Sequence, residues 1–198
     1  MKTQEWKFDD TRKRWMPETR DRKGPWDQEP DKRQWMSETG LPCLIVRNHY
    51  GTLCGYVGVS RSHPYYGLNY ELVDDMLAKT VSEEDDEYVH GGLTFAGTCG
   101  EKICHEVEPG EDDDVWWLGF DCAHGFDLIP GMHMELYESE NYRDVAYVTA
   151  ECEKLAKMVG VSGFEPLTSC VSSRRSPAEL NAPGSTYLAT TSEPFEDA

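Results

Sequence analysis

A histidine followed by two glycines, His90-Gly91-Gly92, and the loop Asp121-Cys122-Ala123-His124-Gly125-Phe126-Asp127 hold the residues best equipped for chemistry. Hydrolysis of a phosphodiester or glycosidic bond needs a base to activate water and an acid for the leaving group. His90, His124, Asp121 and Asp127 supply both types, with a carboxylate to orient an imidazole and stabilise its cation. These four are the candidate catalytic residues. With His63 added, the set is also suited to a divalent ion that lowers the pKa of a bound water. The plainer alternative is that Asp121 and His124 only satisfy backbone groups in a tight turn.

Soft metal donors form a second set. Cys99, Cys104, Cys122 and His124, with His105 nearby in sequence, are ligand types that zinc takes. Their Cys-x4-Cys and Cys-x-His spacings match neither a zinc ribbon nor a finger, where Cys-x2-Cys recurs. Free cysteine is also commonly buried as a small hydrophobe. Zinc is therefore the one candidate cofactor, set against ordinary buried thiols.

A third set suits a pocket that binds without turnover. Tyr56, Tyr65, Tyr66, Phe95, Trp116 and Trp117 offer flat faces for a base or sugar. Arg47, Arg61 and Arg143 are three of only nine cations after residue 40, and arginine makes bidentate contacts with phosphate. Gly91 and Gly92 let a ligand approach the backbone closely. His63, Tyr65, Gly91, Gly92, Thr94, Trp117, Arg47, Arg61 and Arg143 are thus the candidate contacts for a small anionic, nucleotide-like ligand. The alternative for each arginine is a surface ion pair.

The elements that must position these groups are legible in outline. Val115 to Phe120 is an apolar, aromatic run, expected as a buried strand that delivers Asp121 to Asp127 to its exit. Leu41 to Arg47 and Leu53 to Val59 flank the turn signal Asn48 to Gly51 and predict a β-hairpin. Gly55 and Gly58 predict a bulge or a close approach. Asn69 is expected to cap a short helix with Leu72, Val73, Met76 and Leu77 on its apolar face. Leu93, Phe95 and the region of Ile103 read as further strands. Tyr142 to Val159 carries the stripe Val145, Val148, Cys152, Leu155 and Val159 and predicts a long amphipathic helix stopped by Gly160. Ser82 to Glu87 is an acidic run, and Glu108 to Asp114 a charged turn. The expected fold class is α+β: a mixed or antiparallel sheet with one long and one short helix.

Three regions follow. Residues 1–39 form an N-terminal arm in which Trp-x8-Trp-Met-x-Glu-Thr occurs twice, beginning at Trp6 and at Trp26. Two copies fall short of a self-supporting repeat array. The arm is expected either to fold onto its own domain or to tether a partner subunit, as in a homo-oligomer. Residues 40–162 form the globular domain. Residues 163–198 are rich in Ser, Thr, Pro and Ala and predict a tail with too little apolar content to order itself.

Charge narrows the partners. The formal net charge is -18, and it falls almost wholly after residue 40, because residues 1–40 hold ten Lys/Arg against nine Asp/Glu. Nucleic-acid affinity comes mostly from neutralising phosphates with cations, so general nucleic-acid binding is not expected. No apolar run approaches the roughly 18 residues of a membrane span, and the first ten residues lack the apolar segment of a secretory signal. Seven cysteines without such a signal predict reduced thiols in a cytosolic compartment.

Gly40-Leu41-Pro42-Cys43-Leu44-Ile45-Val46-Arg47-Asn48 and Cys54-Gly55-Tyr56-Val57-Gly58-Val59 resemble segments of a family of small bacteriophage- and prophage-encoded accessory proteins. So do His90-Gly91-Gly92-Leu93-Thr94, the run Trp116 to His124, and Tyr142-Arg143-Asp144-Val145-Ala146-Tyr147-Val148. The resemblance covers roughly residues 25–160 and leaves the first tryptophan copy outside. The position of Phe126 is more often small in that family. The resemblance implies an accessory protein acting in the host bacterial cytoplasm, and brings with it no assigned activity or site. Taken together, the expectation is a counter-defence protein that sequesters a nucleotide-like ligand. The alternatives are a hydrolase of such a ligand and an acidic inhibitor of a host protein.

Overall fold

Alternating apolar residues set the centre of the fold. Pro42–Arg47 (β3) and Leu53–Ser60 (β4) pair antiparallel, with Leu44 opposite Tyr56 and Arg47 opposite Leu53. Their turn is closed by Asn48, whose side-chain oxygen accepts from the backbone N–H of Tyr50 at 2.9 Å and of Thr52 at 3.2 Å. Such a side chain mimics a backbone turn. The computed structural model describes residues 1–8, 10–81, 88–100, 103–107, 114–132 and 141–162. The acidic run Ser82 to Glu87, residues 108–113 of the charged turn and the tail from Gly163 lie outside the described residues.

Four more strands complete the sheet: Gln4–Trp6 (β1), Lys32–Met36 (β2), Phe95–Thr98 (β5) and Val115–Asp121 (β6). The order is β1-β2-β3-β4-β6-β5, and every pairing is antiparallel. With two helices, Tyr70–Ala78 (α1) and Val145–Ser162 (α2), this is an α+β fold. No described helix is long and apolar enough to cross a membrane. The segments around Leu93 and Ile103, expected as strands, contribute no strand of their own; Ile103 makes a single bridge to Gly100.

Residues 1–39, read from sequence as an arm, supply β1 and β2 to this same sheet. The two tryptophan copies are not equivalent in structure. Trp6 ends a strand, whereas Trp26 lies in the short 3-10 turn Pro25–Asp27; Trp15 follows the 3-10 turn Thr11–Arg14, whereas Trp35 lies in β2. Trp15, Trp26 and Trp35 are all buried within their own chain. β2 carries no apolar alternation because its polar side chains find partners. Gln34, fully buried, donates to Gln4 Oε1 at 2.8 Å and accepts from the backbone N–H of Glu106 at 2.8 Å.

The sheet buries both faces. One packs Cys43, Ile45, Leu53, Val57, Leu118 and Phe120 against the two helices. No bulge interrupts β4; Gly55 is needed because a Cβ there would lie 2.5 Å from Phe120 Cζ and 2.7 Å from Cys152 Sγ. Asn69 caps α1 as expected, accepting from Leu72 N at 2.9 Å, but only Val73 and Leu77 of the four apolar positions are buried. α2 presents Val148, Cys152, Leu155 and Val159 to the core. It does not stop at Gly160 but continues to Ser162. A single helical glycine costs only about 1 kcal/mol against alanine, which a packed helix absorbs. The opposite face gathers Leu44, Val46, Cys54, Tyr56 and Trp117.

Candidate functional site

At the end of β6 the chain folds back on itself through two carboxylates. Asp121 Oδ1 accepts from Ala123 N at 3.0 Å, and Asp127 Oδ2 accepts from His124 N at 3.1 Å. His90 approaches from the segment before β5. Its backbone N–H donates to Glu151 Oε2 on α2 at 2.7 Å, and its Nε2 lies 2.7 Å from Asp127 Oδ2. From just before α2, Arg143 Nε donates to Asp127 Oδ1 at 2.8 Å, and from its first turn the Tyr147 hydroxyl lies 3.1 Å from His90 Nδ1. His90, the His124 backbone and Arg143 therefore meet on one carboxylate, whose side chain is 0% exposed.

Burial alone would raise the Asp127 carboxyl, but the hydrogen bonds from His90, Arg143 and the His124 backbone hold it below the ordinary carboxylate value. With that carboxylate ionised, Nε2 of His90 is a donor, and Nδ1 is left to receive the Tyr147 hydroxyl. Both ring nitrogens are thus engaged within the protein. This geometry makes His90 a positioning residue and leaves it no free lone pair for a ligand proton.

The more exposed part of the cluster is the outer pair, although His124 Nε2 itself is buried. Asp121 and His124 side chains are 30% and 33% exposed, with His124 Nε2 3.8 Å from Asp121 Oδ1. Thr94 Oγ1 donates to Asp121 Oδ2 at 2.9 Å. Gly91 packs directly on the imidazole: a Cβ there would fall 2.1 Å from His124 Nε2, and the glycine sits at a φ of 65°. Gly91→Ala is therefore expected to displace His124 and to destabilise the fold by about 1–3 kcal/mol. A thermal melt and the His124 ring resonances read both effects, and an unshifted pair of readings would show that the glycine is not required.

The structure thus brings together His90, Gly91, Thr94, Asp121, His124, Asp127 and Arg143, with Gly92 alongside, turned toward Asp74 of α1. Five of the sequence candidates lie elsewhere. Ser60, just before the His63 loop, pairs with Val115 at the far end of β6 from Asp121, roughly 20 Å along the strand. There Arg61 pairs with Asp114, His63 Nε2 lies 3.3 Å from the Val159 carbonyl, and Tyr65 is buried. The pocket expected between that loop and Asp121 to Asp127 is therefore not formed. Trp117 is wholly buried in the second face. Arg47 is buried and spends all five donors inside the protein: Nε on Asp31, one terminal nitrogen on Gly51 O and Tyr142, the other on Glu29 and Pro30 O.

The zinc set is also separated. Cys99 and Cys104 form a disulfide, against the expectation of reduced thiols throughout, while Cys43, Cys54, Cys122 and Cys152 are free and buried. The Cys122 thiol joins the helix-side core, where burial pushes its pKa up, rather than facing His124 outward. Among the described residues no three His, Cys, Asp or Glu side chains converge as a metal-binding group.

Sequence reasoning missed a cavity of about 680 Å3 on the second face of the sheet. Its apolar floor is Val46, Cys54, Tyr56 and Phe95, with the two rings edge-on at 5.6 Å. Its polar rim includes Thr11, Arg14, Asn48 and His49, and the disulfide loop supplies Cys99, Gly100 and Ile103. Arg14 makes no hydrogen bond or ion pair with a described residue. Strand alternation turns Asp121 onto this same face beside Cys54; burial and then the Asp121 charge push the Cys54 thiol up to about 12. Tyr56 and Phe95 were visible as aromatic candidates. Nothing in the sequence tied Arg14 or His49 to them, because the contact spans the whole arm. No family model, curated protein or solved structure matches the chain, so the site rests on its own geometry.

Proposed function

We propose that the protein binds a small anionic, nucleotide-like ligand and holds it without turnover. The ring lies against Tyr56 and Phe95, and the charged part faces Arg14. The observation that carries this reading is the cavity itself, with its aromatic floor and an arginine free of internal partners at its rim. Pockets of several hundred Å3, mostly apolar with a few convergent polar groups, are the usual form of small-ligand sites. Sequestration is favoured over catalysis because both ring nitrogens of His90 are already engaged. The biological setting, a phage accessory protein acting against host defence in the bacterial cytoplasm, rests on the sequence resemblance.

The Asp121–His124 pair, about one-third exposed, favours one second reading, hydrolysis of the same ligand. A thermal-shift screen over cyclic nucleotides and ADP-ribose derivatives tests binding, and chromatography of the ligand recovered after denaturation separates the readings. Intact ligand marks a sponge, and product with turnover marks an enzyme. Arg14→Gln is expected to weaken binding about tenfold, as loss of one charge-assisted contact does, with no change in the unliganded melt. A screen without any stabilising compound, or an Arg14→Gln protein of full affinity, refutes the binding reading.

A further inference from the structure

We propose that the Cys99–Cys104 disulfide is a redox control on the ligand cavity: the intact bond holds Gly100 and Ile103 in the cavity wall, and its reduction by a dithiol weakens binding. This rests on the ligand-binding reading above and adds to it the regulation of the same site. The step is an exchange. A dithiol attacks one sulfur, the S–S bond breaks, and two electrons and two protons pass to Cys99 and Cys104. Two thiols are left on the protein and a disulfide on the reagent.

The placement of the bond carries the proposal. Cys99, Gly100 and Ile103 line the cavity together with Phe95 and Thr98 of β5. The bond joins the residue directly after β5 to one five positions on. β5 has four residues and a single neighbouring strand, β6, so the sheet fixes this wall from one side only. Between the two sulfurs, the Gly100 and Ile103 N–H groups each donate to the other's carbonyl, at 3.0 and 2.9 Å. Beyond Cys104 the chain is held independently. The His105 ring meets Trp117 edge-on at 5.3 Å, and the Glu106 backbone exchanges bonds with the Gln34 side chain, at 2.8 and 3.1 Å. Breaking the disulfide therefore releases the wall at Gly100 and Ile103 without detaching the strand before it or the segment after it. A cross-link acts mainly by limiting the alternatives of the chain it closes, so its loss spreads this wall over conformations that do not fit a ligand.

The other described cysteines do not share this chemistry. Cys43, Cys54, Cys122 and Cys152 are buried, whereas Cys99 and Cys104 are each partly exposed. Cys54 lines the same cavity, yet burial and then the Asp121 charge push its thiol up to about 12. The attacking species in exchange is the thiolate, so Cys54 stays a bystander at neutral pH and the disulfide answers to an outside reductant. In a reducing compartment such a bond is transient and sensing rather than structural.

The test uses the full chain purified without reductant, with alkylation and peptide mass to read the Cys99–Cys104 cross-link before and after dithiothreitol. The cyclic nucleotides and ADP-ribose derivatives of the screen above are run on both forms. A compound that binds the oxidised chain is expected to bind about tenfold more weakly after reduction, within the common range of coupling between two equilibria. By reciprocity, the same compound at saturation should raise about tenfold the reduced-to-oxidised dithiothreitol ratio at which half of the bond is lost. The Cys99→Ser/Cys104→Ser double variant should bind like the reduced chain and ignore dithiothreitol; if it fails to fold, the reduced native chain carries the test. Equal affinity of the two forms overturns the control and leaves the cavity standing. No binding by the oxidised chain takes down the ligand reading and the control with it. A purified chain without the cross-link also overturns the control, as does a reduced chain that no longer melts cooperatively, which would show the bond to be structural.

Discussion

Asp127→Ala is expected to cost about 3–5 kcal/mol of stability, the range for removing one partner of a buried charged pair. The size follows from the number of donors it leaves unmet. His90 Nε2 and the His124 N–H converge on one oxygen and Arg143 Nε on the other. Asp127→Asn keeps the shape but offers a single acceptor oxygen, so it is expected to lose a large part of the same stability. The pH dependence gives a second reading. The folded-state pKa of Asp127 is lowered, so its contribution is complete above the unfolded value of about 3.9 and is lost as pH falls through the folded one. The gap between native and Asp127→Asn stability should therefore be constant near neutral pH and shrink in acid. Urea unfolding of both proteins at several pH values measures it. A gap that is small at neutral pH, or that widens in acid, contradicts the network as described.

Arg47→Met should be comparably damaging, again about 3–5 kcal/mol. Its guanidinium fills one gap between Asp31, Glu29, Tyr142 and two carbonyls, and its removal leaves two carboxylates facing a buried space without their cation. Arg47→Lys is expected to recover little, because three donors on a point charge cannot reproduce a planar fork of five. The denaturation midpoint should fall with an unchanged slope. A loss within about 0.5 kcal/mol, typical of surface changes, would mean the network adds nothing.

Where the sequence was legible, a local rule was at work. The β3–β4 hairpin follows from apolar runs flanking Asn48 to Gly51, and the Asn69 cap from one side chain reaching three residues ahead. The long helix shows in its stripe, although its end is misread because Gly160 only weakens a packed helix. Convergence of His90 with Asp127 was expectable as chemistry, but its consequence was not. Only the positions of Asp127 and Tyr147, one at each ring nitrogen, reveal that the imidazole is fully engaged. Arg47 looked like a ligand contact because a buried ion network leaves no trace in spacing. β2 was missed for a related reason, since its polar residues are satisfied by partners such as Gln4 and Glu106 that lie far away in the chain. The cavity of the second face is the extreme case: its walls join Arg14, Asn48, Phe95 and Ile103, which no short pattern links.

The strand order has a consequence for association between chains. A sheet edge presents unpaired backbone groups that template aggregation, and proteins blunt it with very short or charged edge strands. Here the two edges are the two shortest strands, Gln4–Trp6 with Glu5 at its centre and Phe95–Thr98. The strongly apolar strands that would stack most readily, β3, β4 and β6, are all interior. Self-repulsion at a net charge of -18 adds to this protection. The N-terminal segment that supplies β1 and β2 therefore also keeps the flank of β3 from being offered to another copy of the chain.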